Sequence, residues 1–270
     1  MIALPLVALA FFSFAFAQSN EQLQIEAIEA HFKQSGIVPS LLPTFNPTGT
    51  LNVTFNGVGA ISPGQPLTQA NVQPTPTVVY TPANASVSLN GNYTIIMADA
   101  GPVGTDETAG QTRHWLVNDV TLSGSNPLNV TTTNGTAITD YAGPAPASGS
   151  GPHRYVIMLW NQPATFKSPA GTTTGVGLFN LTDYVSASGL GPLAAANYFT
   201  VEVGTASFTP SPTSAVITST LAPVSSGGSS SGSTKTTSTG ASSSTAKSSA
   251  SKFEAGFALV LAPILGMIVL

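Results

Sequence analysis

The hydrophobic and polar positions divide the chain into stretches of different period. Residues 2–16 (IALPLVALAFFSFAF) are nearly continuous apolar sequence. Along Ser19–Ser35, Ile25, Ile28 and Phe32 fall on one face at helical spacing, Ser19 and Gln22 offer a capping box, and Gly36 offers a stop. One helix is predicted there, with His31 in its last turn as a surface histidine rather than a ligand. The period then changes. Thr50–Phe55 alternates, with Leu51, Val53 and Phe55 on one face. Tyr93–Ala98, His114–Val120, Arg154–Trp160 and Tyr198–Val203 are β-favouring runs of strand length, several apolar on both faces and so fit for covered central strands. Gly, Pro and Asn punctuate them. The predicted fold class is mainly β, an antiparallel sandwich or Greek-key sheet with one or two peripheral helices.

The two ends carry a different message. Residues 2–16 are short for a membrane span, and Ala15-Phe16-Ala17 offers a small-residue cleavage site before Gln18, so 1–17 is read as a signal peptide even though its n-region lacks Lys and Arg. Pro223–Lys252 is dominated by Ser, Thr and Gly without an aromatic residue, and Phe257–Leu270 is an uncharged apolar tail. Small residues, a polar spacer and a terminal apolar tail form the pattern of a GPI-attachment signal, with the attachment residue within Ser242–Ala250. The expected organisation is a folded domain over 18–222, a glycosylated stalk over 223–252 and a signal remnant over 253–270. The protein is then secreted and held at the plasma membrane or cell wall. Asn52, Asn84, Asn92, Asn129, Asn134 and Asn180 head N-x-[ST] sequons and are candidate glycosylation sites.

Composition narrows the chemistry. The 270 residues include no cysteine, which excludes disulfides, thiolate metal sites and a cysteine nucleophile. A net charge of −4 gives no basic footprint for nucleic acid. No G-x-S-x-G elbow, H-E-x-x-H or P-loop is present. Three polar residues border the apolar runs: Asp99 closes YTIIMAD, His114 opens HWLVNDV, and His153 directly precedes RYVIMLW. Strand ends display binding groups on a rigid scaffold. If these ends meet, one carboxylate and two imidazoles form a pocket suited to anions or polar head groups, since a carboxylate fixes an imidazole's tautomer and leaves its outer N–H as a donor. Arg154, at the start of a covered run, needs a partner and is read as structural. Thr105–Arg113 is read as a solvated polar loop. Two other classes stay open: an enzyme using the same residues as a 2-His-1-carboxylate metal site or an acid–base pair, and a structural or adhesive surface protein.

Three blocks resemble the phosphatidylethanolamine-binding protein (PEBP-like) family. Tyr93–Asp99 is similar to the strand entering the family's D-P-D-A-P loop, and Arg113–Asn118 to its H-W/F-L-V-x-N block. Tyr141–Pro146, followed by Gly149-Ser150-Gly151-Pro152-His153-Arg154-Tyr155, resembles the Y-x-G-P-x-P…G-[ST]-G-P-H-R-Y signature. Leu190–Val203 resembles the closing segment, and the likeness spans most of 35–205. It implies a non-catalytic binding protein without a cofactor, built on a large antiparallel sheet. Its pocket, for an anionic small molecule or phospholipid head group, would be made by Asp99, His114, His153 and Tyr155, with Gly143 and Pro146 shaping the wall. The family also includes inhibitors of serine carboxypeptidases, a second implied partner. One departure stands out: the family's second Asp falls at Gly101, so any contact which that carboxylate would make, such as accepting from Arg154, lacks its acceptor here.

Overall fold

A computed structural model describes residues 6–209, together with 211 and 216. The first five residues, the stalk, the attachment region and the apolar tail lie outside these. Eleven strands follow one another: β1 (Gly49–Phe55), β2 (Gly59–Ala60), β3 (Gln65–Leu67), β4 (Thr77–Pro82), β5 (Asn92–Asp99), β6 (Gln111–Ser123), β7 (Leu128–Thr131), β8 (Thr136–Thr139), β9 (His153–Gln162), β10 (Gly177–Phe179) and β11 (Leu193–Val201). The helices are α1 (Leu6–Gln34), the single turn α2 (Ile37–Ser40) and α3 (Leu181–Ser188). The fold is mainly β.

Strands are ordered β2-β1-β4-β7-β6-β5-β9-β11-β3, with β8 and β10 also paired to β6. Every pair is antiparallel except β11 with β3. The long strand β6 makes the sheet curl. Its first two thirds pair with β5, while Thr121–Ser123 pair with β7, so one strand serves both layers. Side-chain alternation then sorts the apolar residues. Tyr93, Ile95 and Met97 of β5, Tyr155, Ile157 and Leu159 of β9, and Phe199 of β11 point inward against Leu51, Val53 and Phe55 of β1. Ile96, Ala98, Val156, Met158, Ala196 and Tyr198 point the other way, under the helices. The central strands are covered on both faces, which is why they read as unbroken apolar runs.

The outer layer rests on α1. Ile25, Ile28 and Phe32 are buried, and the Phe32 ring stacks on Phe45 at 4.2 Å and meets Tyr198 edge-on at 5.4 Å. Gly36, at φ +67°, turns the chain out of the helix as a left-handed C-terminal residue. Among the described residues the helix runs from Leu6, so in the full chain Ser19 lies inside it and does not open it. His31 is half-buried and lines a cavity of about 330 Å³ with Gln24, Thr50 and Asn197, and burial lowers its pKa. Helix α3 was not evident as a period. Asn180 caps it by accepting from the Asp183 N–H, Gly189 ends it, and Leu181, Tyr184 and Ser188 face inward.

Two further boundaries differ from expectation. Gln111–Arg113 belong to β6 rather than to a loop. The buried Arg113 guanidinium donates to Thr139 Oγ1 at 2.7 Å and to the carbonyls of Thr173 and Gly175, and it lies over the Phe179 ring. The final strand is Leu193–Val201, not Tyr198–Val203, because its Ala-rich first half pairs with β9 across a bulge. Replacing Phe32 with Ala should lower the unfolding free energy by about 3–5 kcal/mol. Urea titration should show an earlier midpoint with an unchanged slope; a loss under ~1 kcal/mol would mean that the ring is not a core element.

Candidate functional site

Antiparallel pairing of β5 with β9 builds the site. Its register sets Asp99 opposite Tyr155, and His153, the first residue of β9, lies two residues before Tyr155. The His153 Nδ1–H donates to the Asp99 carboxylate, 3.0 and 2.9 Å from Oδ1 and Oδ2. The same carboxylate accepts the Gly101 N–H at 2.8 Å, which curls the chain after β5. On the other side of the ring, Nε2 lies 2.9 Å from Ser150 Oγ.

This line of carboxylate, imidazole and hydroxyl has the order of a hydrolase triad, but not its proton placement. Ser150 Oγ donates to the Ala147 carbonyl at 2.6 Å. A triad needs that proton aimed at the imidazole, so the hydroxyl would have to turn from Ala147 toward Nε2 to serve as one. The arrangement anchors the His153 ring between Asp99 and Ser150.

His114 reaches the same place from β6. It is the fourth residue of that strand, not its first, and only 7% exposed. Its Nδ1–H donates to the Ala142 carbonyl at 3.0 Å, and the Ala142 N–H donates back to the His114 carbonyl. Burial lowers the His114 pKa; the bond to Ala142 and the Asp99 charge oppose that, and His153 adds to it. The neutral ring thus keeps its proton on Nδ1 and presents a bare Nε2.

Tyr155 joins the two histidines. Its ring meets His114 edge-on at 5.3 Å, stacks on His153 at 6.3 Å and on Phe199 at 5.6 Å. Its hydroxyl is buried without a hydrogen-bond partner. Burial, then the Asp99 charge and the approach of the Asp99 side chain, pushes the phenol far above its ordinary value, so it remains a donor with that carboxylate nearby. The structure therefore brings Asp99, His114, His153 and Tyr155 together.

The wall is more closely filled than a ligand-lined glycine stretch requires. A Cβ on Gly143 would lie 2.7–2.8 Å from Gln73, so the glycine admits that side chain, whose Nε2 donates to the Pro144 carbonyl. Pro144 and Pro146 are buried, and Tyr141 donates to the Val72 carbonyl. Beyond the wall, Gly149 bridges to the segment after β11, donating to Val203 and accepting from Ser207, while Phe208 packs beside Gly151.

Beneath the site sits Arg154, 1% exposed. It donates to the carbonyls of Gly101 (2.9 Å), Ser35 (2.7 Å), Ala100 (2.5 Å) and Pro102 (3.1 Å). Its Nη2 lies 3.6 Å from Glu107 Oε1, which supplies the opposite charge. Burial raises the Glu107 pKa, with Gln111 and Arg154 opposing. Sequence reasoning placed Glu107 in a solvated loop and did not single out Ser150, Gln73 or Glu107. Ser150 stood within a quoted motif; nothing at Glu107 or Gln73 marks its long-range partner. Trp115 is a core residue, set edge-on to Tyr141 at 5.4 Å. Among the described residues, no group of three or more His, Asp and Glu side chains is arranged to hold a metal ion.

Known proteins share stretches of this sequence and its fold. The family model described as phosphatidylethanolamine-binding protein matches residues 43–207. A 26 kDa secreted antigen of Toxocara canis is 34% identical over 139 residues, 51% of this chain and 48% of that protein, so the match spans about half the antigen's length. CEN-like protein 1 of Nicotiana tabacum is 31% identical over 173 residues, 63% of this chain and 90% of the relative. The carboxypeptidase Y inhibitor of Saccharomyces cerevisiae is 28% identical over 157 residues, 49% of this chain and 72% of the inhibitor. Among solved structures, carboxypeptidase Y inhibitor complexed with its cognate proteinase shares the fold, with a TM-score of 0.55 and 24% identity over 66% of this chain and 95% of that one. With three signature blocks converging on one cluster and a family model matching well over half of its length, the chain belongs to the phosphatidylethanolamine-binding protein family.

Proposed function

We propose that the protein is an exported, surface-tethered binding protein that takes an anionic, phosphate-bearing head group at Asp99, His114, His153 and Tyr155. The observation that carries this reading is the Tyr155 hydroxyl, a buried donor that stands near the Asp99 carboxylate but makes no well-formed hydrogen bond. Such a group is costly unless something completes it. An anion oxygen beside it would accept from Tyr155 and from His114 Nε2 once that nitrogen is protonated. His153, with both ring nitrogens engaged by Asp99 and Ser150, holds the carboxylate in place rather than contacting the anion with a free N–H.

Two consequences follow for one titration. Tyr155→Phe removes only the hydroxyl. It should weaken binding of sulfate and phosphoethanolamine about tenfold to a hundredfold, since a hydrogen bond to a charged group contributes about 1.5–3 kcal/mol, while leaving stability equal or higher. Unchanged affinity would remove Tyr155 from the site. Because burial lowers the His114 pKa in the free protein and an anion raises it, binding takes up a proton. Affinity for sulfate, whose charge is constant near neutrality, should therefore fall as pH rises through and above about 6.5, and His114→Gln should flatten that slope. Without ligand the sign reverses: the unfolded chain protonates first, so acidification below about pH 6.5 costs stability.

A second reading rests on the carboxypeptidase Y inhibitor relative: the domain inhibits a serine carboxypeptidase. Purified protein titrated against carboxypeptidase Y should then reduce peptide hydrolysis stoichiometrically; full activity at hundredfold excess would dismiss it. Export and anchoring rest on residues 1–17 and the tail from Phe257. Deleting Phe257–Leu270 should release soluble protein into the medium, and retention of the truncated form on cells would overturn the anchor.

A further inference from the structure

A second polar cluster lies at the opposite end of the central strands, about 23 Å from Asp99 at ~3.3 Å per residue along β5. It is centred on Asp119 of β6, the sole non-glycine residue at positive φ (+60°) among the described residues. Gln162 of β9 grips Asp119 twice, accepting from its backbone N–H at 2.9 Å and donating to Oδ1 at 2.5 Å. Gln162 Oε1 also accepts from the buried Thr94 hydroxyl, and Thr136 donates to Asp119 Oδ2 at 2.9 Å. The carboxylate is thus fixed by three strands, yet with about four lone-pair sites it retains acceptor capacity.

Beside this cluster opens a cavity of about 370 Å³, lined by Gly91, Asn92, Asp119, Gln162, Pro163 and Phe166, with Ala164 between the last two. That volume falls within the ~300–1,000 Å³ of small-molecule sites. Its walls combine an aromatic face and a proline with a carboxylate and a carboxamide. This is the chemistry that suits a sugar ring, apolar on its C–H faces and polar at its hydroxyl and acetamido groups. One of the lining residues, Asn92, is the first residue of an N-x-T sequon and is itself exposed at the rim. Its Nδ2, the atom to which an N-linked sugar is joined, lies 3.5 Å from Asp119 Oδ1. Glycosylation replaces one of the two amide hydrogens, so the other still serves Asp119 and can orient the linkage toward the cavity.

We propose that Asn92 carries an N-linked glycan whose first N-acetylglucosamine seats in the cavity against Phe166, Pro163, Gln162 and Asp119. Three other sequons also border cavities, but without this combination. Asn52 is exposed and lines the cavity beside His31, where no carboxylate and no phenyl ring stands. Asn84 and Asn180 line cavities of their own but are half-buried, with their side-chain carbonyls accepting local N–H groups. Asn134 is exposed next to a turn closed by the Gly135 N–H to Thr132, and it lines no cavity described here. It serves as the control.

The inference rests on the export reading, and the experiment separates the two. Full-length protein is expressed through a secretory host, glycopeptides are mapped by mass spectrometry, and glycan release by peptide N-glycosidase under native conditions is timed at each site. Release at Asn92 should be at least about tenfold slower than at Asn134, and Phe166→Ala should bring the Asn92 rate up to that of Asn134. In thermal unfolding, Phe166→Ala should lower Tm by about 2–4 °C in glycosylated protein and by clearly less in the same pair made without glycan in bacteria. Equal release rates, or an equal Tm loss with and without glycan, would overturn the seated sugar. Occupied Asn134 with bare Asn92 would overturn it as well while leaving export standing, whereas protein bare at every sequon would end both.

Discussion

The buried Arg154 guanidinium is the interaction on which the binding end of the molecule depends. A cation at that depth is stable only if its donors are met and its charge is balanced, because burying an unpaired ion costs several kcal/mol. Four backbone carbonyls and one carboxylate meet that demand. Three of those carbonyls belong to Ala100, Gly101 and Pro102, the chain just beyond Asp99, and the fourth to Ser35 at the end of α1. One side chain therefore fixes the loop that carries the site's carboxylate and ties it to the helix closing the outer core. His153 and Tyr155 flank Arg154 in sequence, so alternation along β9 sends the structural cation to one face and the site residues to the other.

Covering both faces of the central strands gives the site its stiffness. Asp99, His114, His153 and Tyr155 sit on β5, β6 and β9, three adjacent strands whose apolar residues are packed above and below. No rearrangement is needed to bring the four together, so little ordering entropy remains to be lost on binding. The same packing strips water from Tyr155 and His114, which raises the phenol's pKa and lowers the imidazole's.

Much of this was legible in the sequence, for identifiable reasons. Apolar runs such as YTIIMA and RYVIMLW announce covered strands because nothing else in a domain this size tolerates them, and Leu51, Val53 and Phe55 show their period of two directly. The signature around Gly149–Tyr155 was long enough to mark the family. What escaped was whatever depends on distant partners. Arg113 looks like loop chemistry until Thr139, Thr173 and Gly175 are brought around it by β8 and β10. Gly143 looks like an opening for a ligand until Gln73 fills it. Helix α3 spans eight residues, too few for its apolar period to stand out from its neighbours. The apolar start of α1 carries the pattern of a processing signal, and its helical course adds nothing for or against that reading, since Leu and Ala favour helix in either role.

Gly101 and Glu107 bear on how family membership is recognised. Gly101 adopts φ +58°, and a side chain there would place its Cβ 2.4 Å from Thr105 Oγ1. An aspartate cannot simply be restored at that position without remaking the loop. In this chain the carboxylate beside the guanidinium is Glu107, six residues along, where the loop folds back toward Arg154. A filter that requires a fixed pair of acidic letters would reject this chain, although a carboxylate still stands beside the buried cation. Charge balance around a buried ion is a demand of space and not of spelling, and a residue well removed in the chain can answer it.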